Sequence, residues 1–324
     1  MRRLDGRTVV VTGASTGIGA AAAKQLADLG ADVAVTGRSK DKTTEVARRI
    51  GGTPYLVDFA RLDDVRRFAD DLDIDRIDVL ANNAGLMNTS RVLTEDGNES
   101  TFQVNHLAPF LLTHLLMDRL KAAPDARVIT TASAAHAFGE IALDDLRFDT
   151  RKFGAQRAYG MSKLANVLFT QELARRVDGT NVTASVFHPG PVASDFFRES
   201  GFARWVLRTP LGRLALTPEQ GARPLVHLAT IDDAQSVNGV YYSRMKRRAP
   251  KGTNPELAAR LWRASERLVG IGDQANRQRA EDRRGHPVHP AADRRAALEE
   301  LRQGPGDEAD GRVDDQSHED QDRA

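Results

Sequence analysis

Short apolar runs rich in Val, Ile and Ala recur along the chain: TVVVTG from residue 8, ADVAVTG from 31, TPYLVDF from 53, IDVLANNAG from 77, ARVITTAS from 126 and NVTASVFHPG from 181. They do not alternate apolar with polar, and helix-length stretches separate them. Strands of that kind are buried on both faces, so the pattern predicts a doubly wound α/β sheet of parallel, Rossmann-type strands in a single domain. NGVYYS at 238–243 is a candidate seventh strand, and no repeat of fixed period is present. The segment AYGMSKLANVLFTQELARRV, from residue 158, reads as a helix from its Leu, Ala, Met and Gln content and from apolar positions at Leu164, Val167, Leu168 and Phe169. On such a helix Tyr159 and Lys163, four positions apart, share a face. FQVNHLAPFLLTHLLM is the most apolar stretch, but Asn105, His106, Pro109 and His114 interrupt it, which suits a buried helix rather than a bilayer span.

The pattern stops near residue 270. From Gly272 onward there is no Phe, Trp or Tyr, and charged residues, Gln, Gly and Pro dominate. Such a segment cannot bury enough apolar surface to offset its ordering entropy. The folded domain is therefore expected over 1–270, followed by a charged, disordered tail over 271–324. There, AADRRAALEELRQ can form at most a transient helix, and His286 and His289 are expected to be solvated rather than metal ligands.

Composition narrows the function classes. The 324 residues are 40% hydrophobic, enough for a sizeable core, and 46 Lys plus Arg against 45 Asp plus Glu leave a net charge of +1. Nothing global recommends nucleic acid or an acidic membrane surface as partner. The five basic residues of RMKRRAPKG at 244–252 have no interleaved aromatics and read as a solvated edge. The absence of Cys excludes disulfides, thiolate metal sites and cysteine nucleophiles. The opening MRRLDGRTVVVTG has too short an apolar run for a signal or a span, so the expected location is the cytoplasm.

Candidate chemistry begins at TGASTGIG, residues 12–19, between the first strand and an Ala-rich helix. Gly13, Gly17 and Gly19 permit a tight turn and let a pyrophosphate approach the backbone N–H groups and the positive end of the helix. An NAD site would offer an acid after the second strand to the ribose 2′-hydroxyl. This chain places Gly37 and Arg38 there, and a guanidinium suits a 2′-phosphate. NADP(H) is the expected cofactor.

Three residues separate Gly13 from Gly17, and the resulting TGxxxGIG resembles the short-chain dehydrogenase/reductase family. The resemblance continues in NNAG at 82–85, Ser133 at the end of ARVITTAS, YGMSK at 159–163 and HPG at 188–190, over roughly residues 5 to 245. STFQVNHLAPFLLT and YGMSKLANVLF look most like the branch containing retinol dehydrogenases and related carbonyl reductases. The resemblance implies a catalytic set of Asn105, Ser133, Tyr159 and Lys163. Tyr159 would be the general acid or base, with Lys163 and the positively charged oxidised nicotinamide together favouring its phenolate and Lys163 holding the nicotinamide ribose; Ser133 would hold the substrate oxygen while hydride passes between cofactor and carbonyl carbon. The main-chain carbonyl of Asn105 would carry a proton path through water. That carbonyl lacks its usual helical donor, because residue 109 is proline.

By the same resemblance the cofactor is held by Ser15, Thr16 and Ile18 with the glycines, Asp58 and Phe59 flank the adenine, and Asn83, Ala84 and Gly85 pass the ribose. Pro189, Gly190, Val192 and Ser194 lie along the nicotinamide. Phe196, Phe197, Phe202 and Trp205 then crowd four aromatics into ten residues, within a candidate substrate lid at about 191–216; a helix packed on the domain is an equal reading. The expected substrate is a hydrophobic carbonyl or alcohol. Relatives often pair through the helices placed here near 99–122 and 157–177, which implies a homodimer or homotetramer. A second class of function, a nucleotide-sensing regulator on the same fold, is disfavoured by the complete catalytic set.

Overall fold

A computed structural model describes residues 2–192 and 216–271. The expected tail, the aromatic segment after Val192, and Ser194 lie outside the described residues. One eight-stranded sheet organises the chain in the order β3-β2-β1-β4-β5-β6-β7-β8. Its strands are β1 (Thr8–Val11), β2 (Asp32–Gly37), β3 (Thr53–Leu56), β4 (Val79–Asn82), β5 (Ala126–Thr131), β6 (Val182–His188), β7 (Tyr241–Ser243) and β8 (Lys246–Arg248). The first seven are parallel, as the unalternating apolar runs require, and β8 returns antiparallel on β7. The seventh expected strand is present, and the basic run beside it is an exposed edge strand. At the opposite edge, β3 contains Pro54, opposite Val35 of β2.

Helices cover both faces. Val10 of β1 points into a core shared with Leu80, Val128, Leu111 and Leu168, while its neighbours Val9 and Val11 point into the other core with Leu26, Ala222 and Leu225. The second layer is built by α1 (Gly17–Asp28), α2 (Lys40–Ile50) and α8 (Pro218–Thr230). The first is built by α3 (Leu62–Asp71), α5 (Ala108–Leu115), α7 (Ala155–Arg176) and α9 (Pro255–Leu268); α4 (Ser100–Phe102) and α6 (Met117–Lys121) flank α5. Local chemistry sets the boundaries. Ser39 accepts from the Lys42 N–H to start α2, which stops at Gly51 with φ +67°; Thr217 and Gln220 form a capping box on α8; Asn254 caps α9 ahead of Pro255.

Between α4 and α5 the helix widens to a π-turn over Gln103–Leu107, in which the Ala108 N–H reaches back to the Gln103 carbonyl. The long apolar helix expected near 99–122 is therefore not regular, and its irregularity falls immediately before Pro109. Most of α7 is buried, because α9 lies against it. Trp262 of α9 packs edge-on to Phe110 at 4.8 Å, stacks on Phe169 at 5.8 Å and lies 4.3 Å under the Arg176 guanidinium. Part of the helical surface expected to pair two copies is thus covered by the chain's own α9.

Candidate active site

The chain runs β1 to β2 to β3 on one side of the sheet and then crosses to β4 on the other side of β1. A crevice opens at such a switch point, at the C-terminal strand ends. Thr12, just past β1, ties its two walls together. Its hydroxyl donates to the Ala81 carbonyl at 3.1 Å and accepts from the N–H groups of Asn83 and Ala84 at 2.9 and 3.0 Å, while Asn83 Nδ2 donates to the Thr12 carbonyl at 3.0 Å. The glycines are required by close approach. Gly13 has φ +63°, and a Cβ on it would meet the Ala84 Cα at 2.7 Å. A Cβ on Gly19 would lie 2.3 Å from the Gly13 carbonyl oxygen.

The cleft so formed has a volume of about 270 Å³. Gly13, Ser15, Thr16, Gly17, Ile18 and Gly19 line one stretch, Arg38, Asp58 and Phe59 the next, Asn83, Ala84 and Gly85 the floor, and Ser133, Tyr159, Lys163, Pro189, Gly190 and Val192 the far end. Among the described residues, every one assigned to the site from sequence except Asn105 lines this one cleft. The N-terminus of α1 faces it with no side-chain cap and no acid in its first turn, which leaves N–H donors for an anion. Arg38 is exposed at the rim and, among the described residues, has no hydrogen-bond or ion-pair partner. The Asp58 carboxylate accepts from its own turn, the Ala60 N–H at 3.0 Å. A glycine cradle with free N–H donors and an unpaired cation fits a phosphorylated dinucleotide.

At the far end Ser133, two residues past β5, accepts from the Ala135 N–H at 3.2 Å and lines the cleft with Tyr159, whose phenol it favours in the ionised form. Tyr159 is half-buried on the first turns of α7, with the Lys163 Nζ 5.7 Å from its ring centre. Lys163 is 3% exposed, so it is not a solvated helix-face residue, and its ammonium donates to the Thr131 carbonyl at 3.1 Å. Gly85 must stay bare here, because a Cβ would stand 3.2 Å from Asn105 Oδ1 and 3.5 Å from Lys163 Nζ.

Asn105 is fully buried behind the cleft. Its side chain accepts from the Leu86 N–H at 2.7 Å and donates to the Leu86 carbonyl and the Ser162 hydroxyl, both at 2.9 Å. Asn105 therefore clamps the loop after β4 to α7, a task for its amide that the sequence did not disclose. Nor did the sequence disclose Thr131, which acts through a main-chain carbonyl, or the apolar wall of Leu86 and Val104. His188 was quoted in HPG without a role. It lines the cleft and is pushed down to about 4, first by burial and then by the nearby Arg244 guanidinium, so it is neutral.

Burial pushes the Tyr159 phenol up to about 12, against the opposing effect of its bond with Ser133, and pushes the Lys163 ammonium down to about 8. The expected lowering of the phenol called on Lys163 together with an oxidised nicotinamide, and this shift is that of the chain alone. In the protein alone, desolvation outweighs a cation that faces the ring. Among the described residues no cluster of three or more His, Asp or Glu could hold a metal, and no helix is long and apolar enough to cross a membrane.

A parallel sheet with a glycine cradle at its switch point and a Ser–Tyr–Lys group at the end of the same cleft defines a nicotinamide-dependent oxidoreductase of alcohols and carbonyls. The short chain dehydrogenase profile matches residues 7–204, and the chain belongs to the short-chain dehydrogenase/reductase family, in its retinol dehydrogenase-like branch. It is 40% identical over 284 residues to retinol dehydrogenase 13 of Homo sapiens, covering 83% of this chain and 86% of that one. With human retinol dehydrogenase 12 it shares 39% over 282 residues, 83% of this chain and 88% of the other. Among solved structures, an uncharacterised protein from Mycobacterium Paratuberculosis superposes with a TM-score of 0.68 at 35% identity, covering 83% of this chain and 95% of that chain. RhlG of Pseudomonas aeruginosa in complex with NADP gives 0.61 at 27%, covering 74% and 95%.

Proposed function

We propose that the protein interconverts the carbonyl and alcohol forms of an apolar small molecule with NADP(H), and that Tyr159 is its general acid or base. The observation that carries this reading is that Ser133, Tyr159 and the buried Lys163 ammonium meet at one end of the cleft that the glycine loop opens. The glycine cradle with Ser15, Thr16 and Ile18 takes the pyrophosphate, Arg38 the 2′-phosphate, Asp58 and Phe59 the adenine side, and Asn83, Ala84 and Gly85 the ribose. Pro189, Gly190 and Val192 take the nicotinamide end. A nicotinamide cofactor supplies or accepts the hydride when bound.

The chain's own groups do the rest. Ser133 holds the substrate oxygen, and Tyr159 gives that oxygen a proton in reduction or takes one in oxidation. Lys163 has three N–H donors; one is used on Thr131, which leaves others for the ribose hydroxyls. A positive charge on the nicotinamide side lowers the cost of the phenolate that burial raises. The Asn105 amide is fully occupied, so only its main-chain carbonyl serves a proton path, and Pro109 has no N–H to compete for it. Leu86 and Val104 support an apolar substrate, as do relatives named retinol dehydrogenases. The catalytic unit is residues 1–270, and 271–324 is an appendage.

The test is NADPH absorbance with aliphatic, aromatic and isoprenoid aldehydes and ketones, repeated with NADH. NADPH-dependent reduction of apolar members is expected. NADPH binding without turnover of any carbonyl would favour a nucleotide-sensing regulator instead.

A further inference from the structure

His136 stands three residues past Ser133, on the short helical turn Ala134–Phe138, 4% exposed and outside the cleft. Its ring Nδ1 lies 2.7 Å from the Ser133 carbonyl oxygen, and its main-chain N–H donates to the same oxygen at 3.1 Å. At the other end of the ring, the Lys251 N–H donates to Nε2 at 3.4 Å. A carbonyl oxygen only accepts and a main-chain N–H only donates, so these partners demand one state of the ring, with its single proton on Nδ1. The ring also packs on Tyr241 of β7, with 4.9 Å between ring centres. The turn itself is wedged against the helix that carries Tyr159: a Cβ on Gly139 would lie 2.3 Å from the Gly160 carbonyl oxygen, and one on Gly160 would lie 3.1 Å from the Ala135 carbonyl oxygen.

We propose that His136 is a positioning residue for Ser133: held by the Lys251 N–H and the Tyr241 ring, it grips the Ser133 carbonyl and so fixes the hydroxyl that meets the substrate oxygen. The proposal rests on the reading of Ser133 as the holder of that oxygen. A serine side chain turns about one staggered bond, so the place of its hydroxyl is set by the main chain beneath it. That main chain is extended at Ser133, φ −149° and ψ 159°, and the hydroxyl oxygen already accepts from the Ala135 N–H, which leaves its own proton to give. The bond from the His136 main chain to the Ser133 carbonyl is local and moves with the turn. The bond from the ring is different, because the ring is tied to β7 and to the segment leading into α9. Ser133 serves the carbonyl and not the nucleotide, so loss of the ring bond should appear in the chemical step and leave NADPH binding alone.

The experiment uses the full chain. Imidazole nitrogen NMR of the wild type, with the His136 signal assigned by its absence from His136→Asn, should show the proton on Nδ1; a proton on Nε2 overturns the proposal. Single-turnover rates with an active aldehyde, NADPH titration and thermal unfolding are then read on a set of variants. His136→Leu should slow the chemical step by roughly three- to thirtyfold and change NADPH affinity by less than about twofold. His136→Asn puts an amide N–H where Nδ1–H stood and should recover most of the rate. His136→Gln, whose amide stands at the Nε2 position, keeps the bond to Lys251, loses the one to Ser133 and should not recover it; a merely structural role would not rank two amides in this order. Ser133→Ala should itself slow the step by roughly 10²–10³-fold, and His136→Leu added to it should cost less than about twofold more, because the group it acts through is gone. The proposal is overturned if His136→Leu turns over at the wild-type rate, or if it slows Ser133→Ala as much as it slows the wild type; His136→Gln takes its place in this comparison should the leucine variant not fold. If Ser133→Ala does not slow the reaction, or the wild type reduces no carbonyl, it is the function proposed above that fails, and the ring tautomer still tests the grip on Ser133.

Discussion

Gly13 and Gly51 have nearly the same backbone, φ +63° and φ +67°, and entirely different surroundings. A Cβ on Gly13 meets the Ala84 Cα at 2.7 Å, the Ala84 nitrogen at 3.1 Å and its Cβ at 3.2 Å; a Cβ on Gly51 meets nothing within 4 Å. Each Gly→Ala substitution forces an L-residue into the left-handed region, at a cost of about 1–2 kcal/mol. Gly13→Ala adds overpacking against backbone that cannot rotate away, a further 1–3 kcal/mol or so. For a folded unit of this size each kcal/mol lowers the unfolding midpoint by roughly 2–4 °C. Gly51→Ala should therefore fall by about 2–8 °C and Gly13→Ala by about 4–20 °C, on the same conversion. The variants also differ in function. Gly13→Ala pushes the glycine loop from the NNAG loop and spoils the cradle, so NADPH affinity should drop, while Gly51→Ala, at the far end of α2, should bind as the wild type does. Differential scanning calorimetry and NADPH titration on the pair check this. Equal losses of stability, or equal NADPH affinities, would show that the contact with Ala84 is relieved without cost and that the cradle is not shaped by it.

The remaining predictions concern charge and protons. Arg38→Asp should reverse a preference for NADPH over NADH, because it replaces an attractive partner of a 2′-phosphate with a repulsive one; equal affinities of the wild type for the two cofactors refute the assignment. Tyr159→Phe should slow the chemical step by roughly 10²–10⁴-fold in single-turnover kinetics with NADPH affinity little altered, and a wild-type rate would remove Tyr159 from the mechanism. Lys163 is lowered from 10.5 to about 8, so between these values the unfolded chain binds the extra proton and the native state does not. Stability from this group should therefore rise with pH from about 8 to 10.5, and urea unfolding of the wild type against Lys163→Met across that window should show a difference that grows with pH.

The sheet was legible because strands buried on both faces read as mostly apolar runs that do not alternate, and the cleft was legible because glycines, Tyr159 and Lys163 are side-chain signals at fixed spacing. What escaped acts through main chain or through missing donors. β8 has the sequence Lys246–Arg247–Arg248, with no apolar position to mark a strand, and is paired only because the turn after β7 brings it back. The π-turn over Gln103–Leu107 consists of ordinary helix residues, and only Pro109 marks it, by an absent N–H. Lys163 lies in the cleft, yet its partner is the Thr131 carbonyl, and no side chain announces a carbonyl. The packing of α9 on α7 was illegible for another reason: the rings Trp262 packs against and the ring Ser265 bonds lie more than eighty residues away in the chain.

The two rims of the sheet bear on how the protein behaves when crowded with copies of itself. An open sheet offers at each margin a row of unpaired main-chain groups onto which another molecule's strand can add. On one margin Pro54 interrupts the donors of β3, and on the other three consecutive exposed cations lie along β8. A strand arriving at the first finds a gap in the ladder, and a second copy arriving at the other by the same margin meets its own charge. The basic run at 246–248 thus disfavours edge-to-edge addition of a second copy: replacing the three cations with Thr should leave the cleft in place and make the concentrated protein more prone to growing sheet upon sheet.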